Sequence, residues 1–360
     1  MKRIPVMLFG AGGVGQALLQ QIVNGRVTTA TRNNCQLDVI CVADSTSCAW
    51  ANDGLTDLQL QAIVSAKQQG QPVNAANPER PSDLKLLETA VASRPQNLIL
   101  VDVTAAAGME PLLDTALAQG HRVVLANKKP LAGPWVTAQT YFNHPRLRHE
   151  STVGGGQPVI ATLRYLLDVN DPVQEINGQL SGSLGYICGQ LDGGTPFSQA
   201  IASAKTLGYT EPDPRDDLGG QDVMRKILIL GRMAGWPLET ADLKLESLYP
   251  SAMADLSVPE FMARLGELDE MMSVRVATAV THHQLLRYVA HVSAEGGSVS
   301  LQALPAASPL ANMKYISFRS LLYDDEPLLI GGKGAGVHMT AAGVLGDILD
   351  LVRETVDSNQ

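Results

Sequence analysis

Five carboxylates crowd into one short stretch of the chain. Between Gly208 and Lys226 stand Glu211, Asp213, Asp216, Asp217 and Asp222, with Pro212 and Pro214 stiffening the loop before a helix begins near Gln221. On a helical wheel Asp222 and Lys226 lie four apart and share a face that continues as Ile229 and Met233, while Arg225 and Arg232, seven apart, mark a solvent face. A charged pair aligned with apolar residues is expected to be partly buried, where a lone charge is costly and a paired one persists. As an ordinary surface pair it would contribute only about 0.3 kcal/mol. As a partly buried pair it is a candidate for proton transfer, because perturbed pairs gather where chemistry is done.

A second candidate lies near the N-terminus. Gly10, Gly12 and Gly15 follow an apolar run, Ile4–Phe9, and open a helix over Val14–Val23. That spacing allows a tight turn and a close approach of backbone to a pyrophosphate, whose charge the helix N-terminus favours. Asp44 ends the next apolar run, Leu37–Ala43. A carboxylate there would bond the adenosine ribose hydroxyls and tilt the choice between NAD and NADP towards NAD. It stands farther from the glycines than usual because of a polar insertion, Thr28–Gln36. Lys128, just after the run Arg122–Ala126, falls at the carboxyl edge of the same sheet, where doubly wound folds hold their ligands.

The elements that would position these groups alternate. Apolar runs at Ile4–Phe9, Leu37–Ala43, Leu98–Val103 and Arg122–Ala126 are separated by helical stretches such as Asp83–Ser93 and Glu110–Gln119. Strands alternating with helices imply a parallel sheet with crossover helices. The fold class is therefore α/β, a Rossmann-type doubly wound parallel sheet over residues 1–135. A C-terminal segment, 330–355, with an apolar helix from about Thr340 to Val352, is expected to complete it. Residues 136–329 carry glycine-dense turns between strands and longer helices, and read as an α+β substrate domain.

Composition narrows the classes. The 360 residues are 45% hydrophobic and carry a formal charge of -9, enough for two sizeable cores and unsuited to a nucleic-acid binder, which needs clustered cations. No run of apolar residues is long enough to span a membrane. Cys35, Cys41, Cys48 and Cys188 are scattered without paired spacing, which suits a reducing compartment, the cytoplasm.

Taken in order, these segments resemble the homoserine dehydrogenases over nearly the whole chain. The resemblance is carried by residues 10–15, 101–104, 126–130, 150–158, 180–186, 208–226, 334–336 and 340–343, of which 208–217 are the most specific. It is closest to the dehydrogenase half of bifunctional aspartokinase–homoserine dehydrogenases, with no kinase half before it and no regulatory domain after it, so weak or absent inhibition by threonine is expected. The resemblance implies NAD- or NADP-dependent interconversion of L-homoserine and L-aspartate 4-semialdehyde by a homodimer whose second domain also dimerises. It assigns Lys226 as the proton donor and Asp222 as its orienting partner. Glu211 would hold the substrate ammonium, with Asp217, Lys128, Ser183 and Tyr209 nearby. Ala11, Gly13, Val14, Thr104, Lys128, Gly208 and Gly336 match cofactor-contacting positions. Glu150, Val153, Gly155 and Gln157 match a loop that binds a monovalent cation, sodium or potassium, through carbonyl oxygens. Ser183 stands where many relatives have threonine, Gln157 replaces an aliphatic residue, and Val337-His338-Met339 departs from the commoner residues after Gly336. Loss of Lys226 or of the glycine turn would have marked a silent nucleotide-sensing partner; both are present.

Overall fold

A computed structural model describes residues 1–76, 80–93 and 97–357, the last three by backbone alone. The chain divides into two compact units, Met1–Ile160 joined by Ala335–Gln360, and Ala161–Gly334.

The first unit is built on six strands, β1 (Lys2–Phe9), β2 (Cys35–Ala43), β3 (Cys48–Trp50), β4 (Ile99–Asp102), β5 (Arg122–Leu125) and β6 (Leu147–Arg148), in the order β3-β2-β1-β4-β5-β6. All neighbours are parallel except β2 and β3. Burial on both faces explains why the parallel strands read as nearly continuous apolar runs, interrupted by the buried Asp38 and Asp102. The order reverses between β1 and β4, and this opens the crevice into which the glycine turn projects. Gly10 there has φ +104°, and a Cβ on Gly15 would stand 2.0 Å from the Gly10 carbonyl oxygen, so helix and turn close up only without side chains. Ala17, Leu18 and Ile22 of the helix Gly13–Asn24 share one core with Ala341, Val344, Ile348 and Leu351 of the C-terminal helix Val337–Asp357.

Two features of this unit differ from the sequence reading. Residues 136–160, placed above with the second domain, belong to the first. Here β6 adds in parallel to β5, and Arg148 on β6 bonds Asp350 (2.7 Å) and Glu354 of the C-terminal helix. A two-residue strand has no periodicity to read. The polar insertion, for its part, is a helix, Arg26–Asn33, with no buried residue, closed by Asn34 in the left-handed region at φ 48°.

The second unit holds β7 (Val173–Gly178), β8 (Leu243–Leu245), β9 (Gln284–Ser293), β10 (Gly296–Pro305), β11 (Tyr315–Ser320) and β12 (Leu328–Gly331), in the order β12-β11-β7-β9-β10-β8. Only β8 and β10 run parallel, and the helices Gly182–Asp192, Gln221–Met233 and Asp269–Thr281 pack on β9. One expectation fails on the helix Gln221–Met233. Arg225 is exposed, but Arg232 is fully buried. The chain reverses at Gly235 (φ +98°) and brings Leu238 and Glu239 back to the helix end. The Arg232 guanidinium donates there to the Leu238 carbonyl at 2.9 Å and to Glu239 at 3.1 Å.

Candidate active site

In the first unit, the glycine turn, the end of β2 and the loop after β4 line a cavity of about 630 Å³ that includes Gly10, Gly12, Asp44, Lys67, Arg80 and Thr104. The helix Gly13–Asn24 has no capping side chain and no acid in its first turn, so its leading amides are left to an anionic ligand. Above Gly12 a Cβ would meet nothing within 4 Å, so the space over the turn is open.

Asp44 lines this cavity with its carboxylate already occupied. Oδ1 accepts the amides of Thr46 (2.9 Å) and Ser47 (2.8 Å), and Oδ2 accepts Lys67 Nζ (2.8 Å) and the Val73 amide (3.0 Å). Burial alone would raise this carboxyl, but the Lys67 bond and the three amides outweigh it and hold it well below the usual carboxylate range. Arg80, on the same wall, pairs with Asp83, yet its buried Nε meets no partner among the described residues.

A polar network missed by the sequence reading fixes the neighbouring loops. Asp102, fully buried at the end of β4, accepts the Thr104 amide (2.9 Å), the Thr104 hydroxyl (2.7 Å) and Asn127 Nδ2 (3.0 Å). Asn127 also donates to the Ala106 carbonyl at 2.8 Å and accepts the Lys129 amide at 3.1 Å. The loops after β4 and β5 are thereby tied together, and with them Thr104 and the half-buried Lys128. Burial pushes the Asp102 carboxyl up, partly offset by Thr104 and Asn127. An acid at a strand end followed two residues later by threonine was the available signal.

Glu150, Val153, Gly155 and Gln157 lie in one loop of this unit. Glu150 is buried; its carboxylate accepts the Ile160 amide at 2.6 Å, and its own amide donates to Asp347 at 2.8 Å. Gly154 and Gly155 take φ +75° and +64°. The Gln157 carbonyl accepts the Val159 amide (2.8 Å), and that of Glu150 the Val153 amide at a long 3.4 Å. A Cβ on Gly343 would reach 2.7 Å from the Gly155 carbonyl oxygen and 2.4 Å from Ser151 Oγ, so the glycine lets the C-terminal helix approach this loop. Gly336, at φ +125°, turns the chain into that helix.

The second unit holds the paired charges. Lys226 Nζ stands 2.7 Å from Asp222 Oδ2 and donates to the Leu180 carbonyl at 2.9 Å. The lysine side chain is 19% exposed and the aspartate 48%, so one end of the pair is covered and the other open. A second string runs alongside. Ser183 donates to Asp217 Oδ1 at 2.5 Å, and the Glu211 amide donates to Asp217 Oδ2 at 2.8 Å. Ser181 Oγ lies 2.9 Å from Ser183 Oγ and caps the helix Gly182–Asp192 through the Leu184 amide at 3.1 Å. Leu180 and Ser181, within the matching stretch 180–186, were given no role because one acts through its carbonyl and the other as a cap. Tyr209, after Gly208 (φ +70°), packs its exposed ring against Tyr186, centroids 4.7 Å apart. Glu211, Asp217, Asp222 and Arg225 line a polar cavity of about 590 Å³. Lys128, Thr104 and Gly336 belong to the first unit, Gly208 and the remaining substrate candidates to the second.

The arrangement offers a dinucleotide crevice, a held ammonium and a carboxylate-lined pocket. Comparison with known proteins agrees with that combination. Residues 158–349 match the family model of homoserine dehydrogenase, and residues 10–143 that of the homoserine dehydrogenase NAD binding domain. The chain is 37% identical to a bifunctional aspartokinase/homoserine dehydrogenase of Haemophilus influenzae, over 97% of the chain and 43% of that protein. It is 34% identical to a homoserine dehydrogenase of Paracoccidioides brasiliensis, over 98% of each. It superposes on a hyperthermophilic archaeal homoserine dehydrogenase mutant in complex with NADPH with a TM-score of 0.74, at 25% identity and 98% coverage of both chains. The chain thus spans less than half the length of the bifunctional relative.

Proposed function

The chain belongs to the homoserine dehydrogenase family, and from that premise we propose that it interconverts L-aspartate 4-semialdehyde and L-homoserine with a nicotinamide dinucleotide. The observation that carries this reading is Lys226, whose ammonium is fixed by Asp222 and by the Leu180 carbonyl beside a carboxylate-lined pocket. An ammonium has three N–H bonds. Two are committed, and the third serves the reacting oxygen. The nicotinamide, when bound, supplies a hydride to the aldehyde carbon or takes one from the alcohol carbon. In reduction, Lys226 gives its free proton to the oxygen as negative charge develops there, and recovers one from solvent. In oxidation, neutral Lys226 removes the hydroxyl proton. General acid–base help of this kind contributes about 10² to 10⁴-fold. Glu211 complements the substrate ammonium, and Asp217 is kept aimed by Ser183 and the Glu211 amide.

For the dinucleotide we favour NADP over NAD, against the tilt that Asp44 suggested. A carboxylate with both oxygens filled and Lys67 beside it neither accepts ribose hydroxyls nor repels a phosphate as a bare one would. Lys67 and Arg80 are the cations on that wall. The archaeal relative's NADPH complex supports the same choice. Carbonyls of Glu150, Val153, Gly155 and Gln157 suit a hard cation, sodium or potassium, which would brace the loop against the C-terminal helix. For the assembly we favour a homodimer, on the family resemblance alone. A reducing, cytoplasmic setting fits four free cysteines, and no described helix is long and apolar enough to cross a membrane.

The test is absorbance at the reduced-nicotinamide band with purified protein, L-homoserine, each dinucleotide in turn, and sodium or potassium. Homoserine-dependent reduction, faster with NADP, is expected. No signal in either direction, the semialdehyde included, would sink the proposed reaction.

A further inference from the structure

At the amino ends of β5 and β6, opposite the glycine turn, four basic side chains converge. The helix Glu110–Ala118 closes with Gly120 at φ +81°, where the Gly120 and His121 amides bond the Leu117 (3.0 Å) and Ala116 (2.9 Å) carbonyls. This wrap tucks His121 inward to 4% exposure, and its buried Nε2 has no hydrogen-bond partner among the described residues. Arg146 lies over the same turn, its Nη1 3.1 Å from where a Cβ on Gly120 would stand. Val123 and Leu147 are in-register partners on parallel strands, so Arg122 and Arg146, one residue earlier on each, leave the sheet edge side by side. His144 accepts the Arg146 amide on Nδ1 at 3.1 Å, which leaves the proton of the neutral ring on Nε2, a donor.

Few acceptors answer these donors among the described residues. Arg122 reaches Asn97 Oδ1 only at 3.5 Å, and no acceptor meets the Arg146 guanidinium. The acid that acts on Arg122 is Glu354, and both it and Asp350 are engaged by Arg148. Adjacent guanidiniums short of acceptors cost free energy as they stand, and an anion would convert that cost into charge-assisted bonding.

We propose that His121, Arg122, His144 and Arg146 form a phosphate-class oxyanion site, separate from the dinucleotide crevice and at the other end of the same sheet. The ligand is inorganic phosphate or a phosphate monoester, held by the Arg122 and Arg146 guanidinium N–H groups and the His144 Nε2, with the covered His121 ring close enough to feel its charge. Its charge would oppose what acts on the rings without it. Burial and then Arg122 and Arg146 push His121 down, and burial and then Arg146 push His144 down.

The protein, with its dinucleotide site saturated by NADPH, is titrated by proton NMR while following the histidine resonance that His121→Gln abolishes. Millimolar phosphate should raise the His121 midpoint by about one pH unit relative to chloride at equal ionic strength. Arg146→Gln should remove the difference while leaving NADPH binding unchanged. A parallel titration with phenyl phosphate tells a free-phosphate site, which excludes it, from a monoester site, which accepts it; either response supports the proposal. Identical midpoints in phosphate and chloride, or a phosphate response that survives Arg146→Gln, would overturn it. The cluster would then serve only to offset the negative end of the helix Glu110–Ala118.

Discussion

Lys226 concentrates the chemistry in one atom, and its environment tells what removing it should do. The side chain is held by Asp222 and by the Leu180 carbonyl, both in the second unit, while the glycine turn belongs to the first. Lys226→Ala should therefore lower turnover by about 10² or more while NADPH still binds, as read by nucleotide fluorescence. Near-normal turnover would take Lys226 out of its role. Arg80 offers the matching test for the cofactor, because it lines the cavity and its Nε is unbonded among the described residues. A charged hydrogen bond to a 2′-phosphate is worth about 1.5–3 kcal/mol. Arg80→Gln should then raise KM for NADPH by about tenfold or more and leave that for NADH nearly unchanged. Equal effects on both would assign Arg80 to the fold instead.

At the scale of elements, two turns should govern stability. The turn after β2 is organised by Asp44, whose side chain is 8% exposed and paired with Lys67. Asp44→Ala leaves Lys67 and three amides unanswered and should destabilise the first unit by about 3 kcal/mol, read by urea unfolding. This carboxyl is depressed, so its contribution is complete above the unfolded value of about 3.9 and is lost only as pH falls towards the folded one. The turn before β5 titrates higher. His121 and His144 are both depressed, so below about pH 6.5 the unfolded chain binds more protons than the folded one. Stability should fall as pH drops through that region, and His121→Gln should flatten the fall. Equal urea midpoints at about pH 7.5 and about pH 5.5 would contradict this.

For the whole molecule, the consequential fact is that the chain leaves the first unit at Ile160 and returns to it at Ala335. The returning helix places Ala341, Val344, Ile348, Leu351 and Val352 in the core of the dinucleotide unit. Burying each larger side chain contributes about 1.5–3 kcal/mol, while whole domains are stable by only about 5–15 kcal/mol. A chain ending at Gly334 should therefore fail to hold NADPH and should expose apolar surface to a hydrophobic dye. Normal NADPH affinity in that truncation would show that the helix is dispensable.

What the sequence by itself determined was everything with a local signature. The glycine turn was legible because the tight turn excludes side chains at Gly10 and Gly15, and the parallel strands because burial on both faces makes them mostly apolar, Asp38 and Asp102 apart. The Asp222–Lys226 pair was legible because helical spacing fixes which side chains meet. Tertiary structure alone decided the rest. It filled the Asp44 carboxylate with Lys67 and Val73, more than twenty residues away. It buried Arg232 by folding Leu238 and Glu239 back over it, and gave residues 136–160 to the first unit through a two-residue strand. In each case a side chain's surroundings came from a segment whose return no local pattern encodes, and the free energy of a charge depends on those surroundings rather than on its neighbours in sequence.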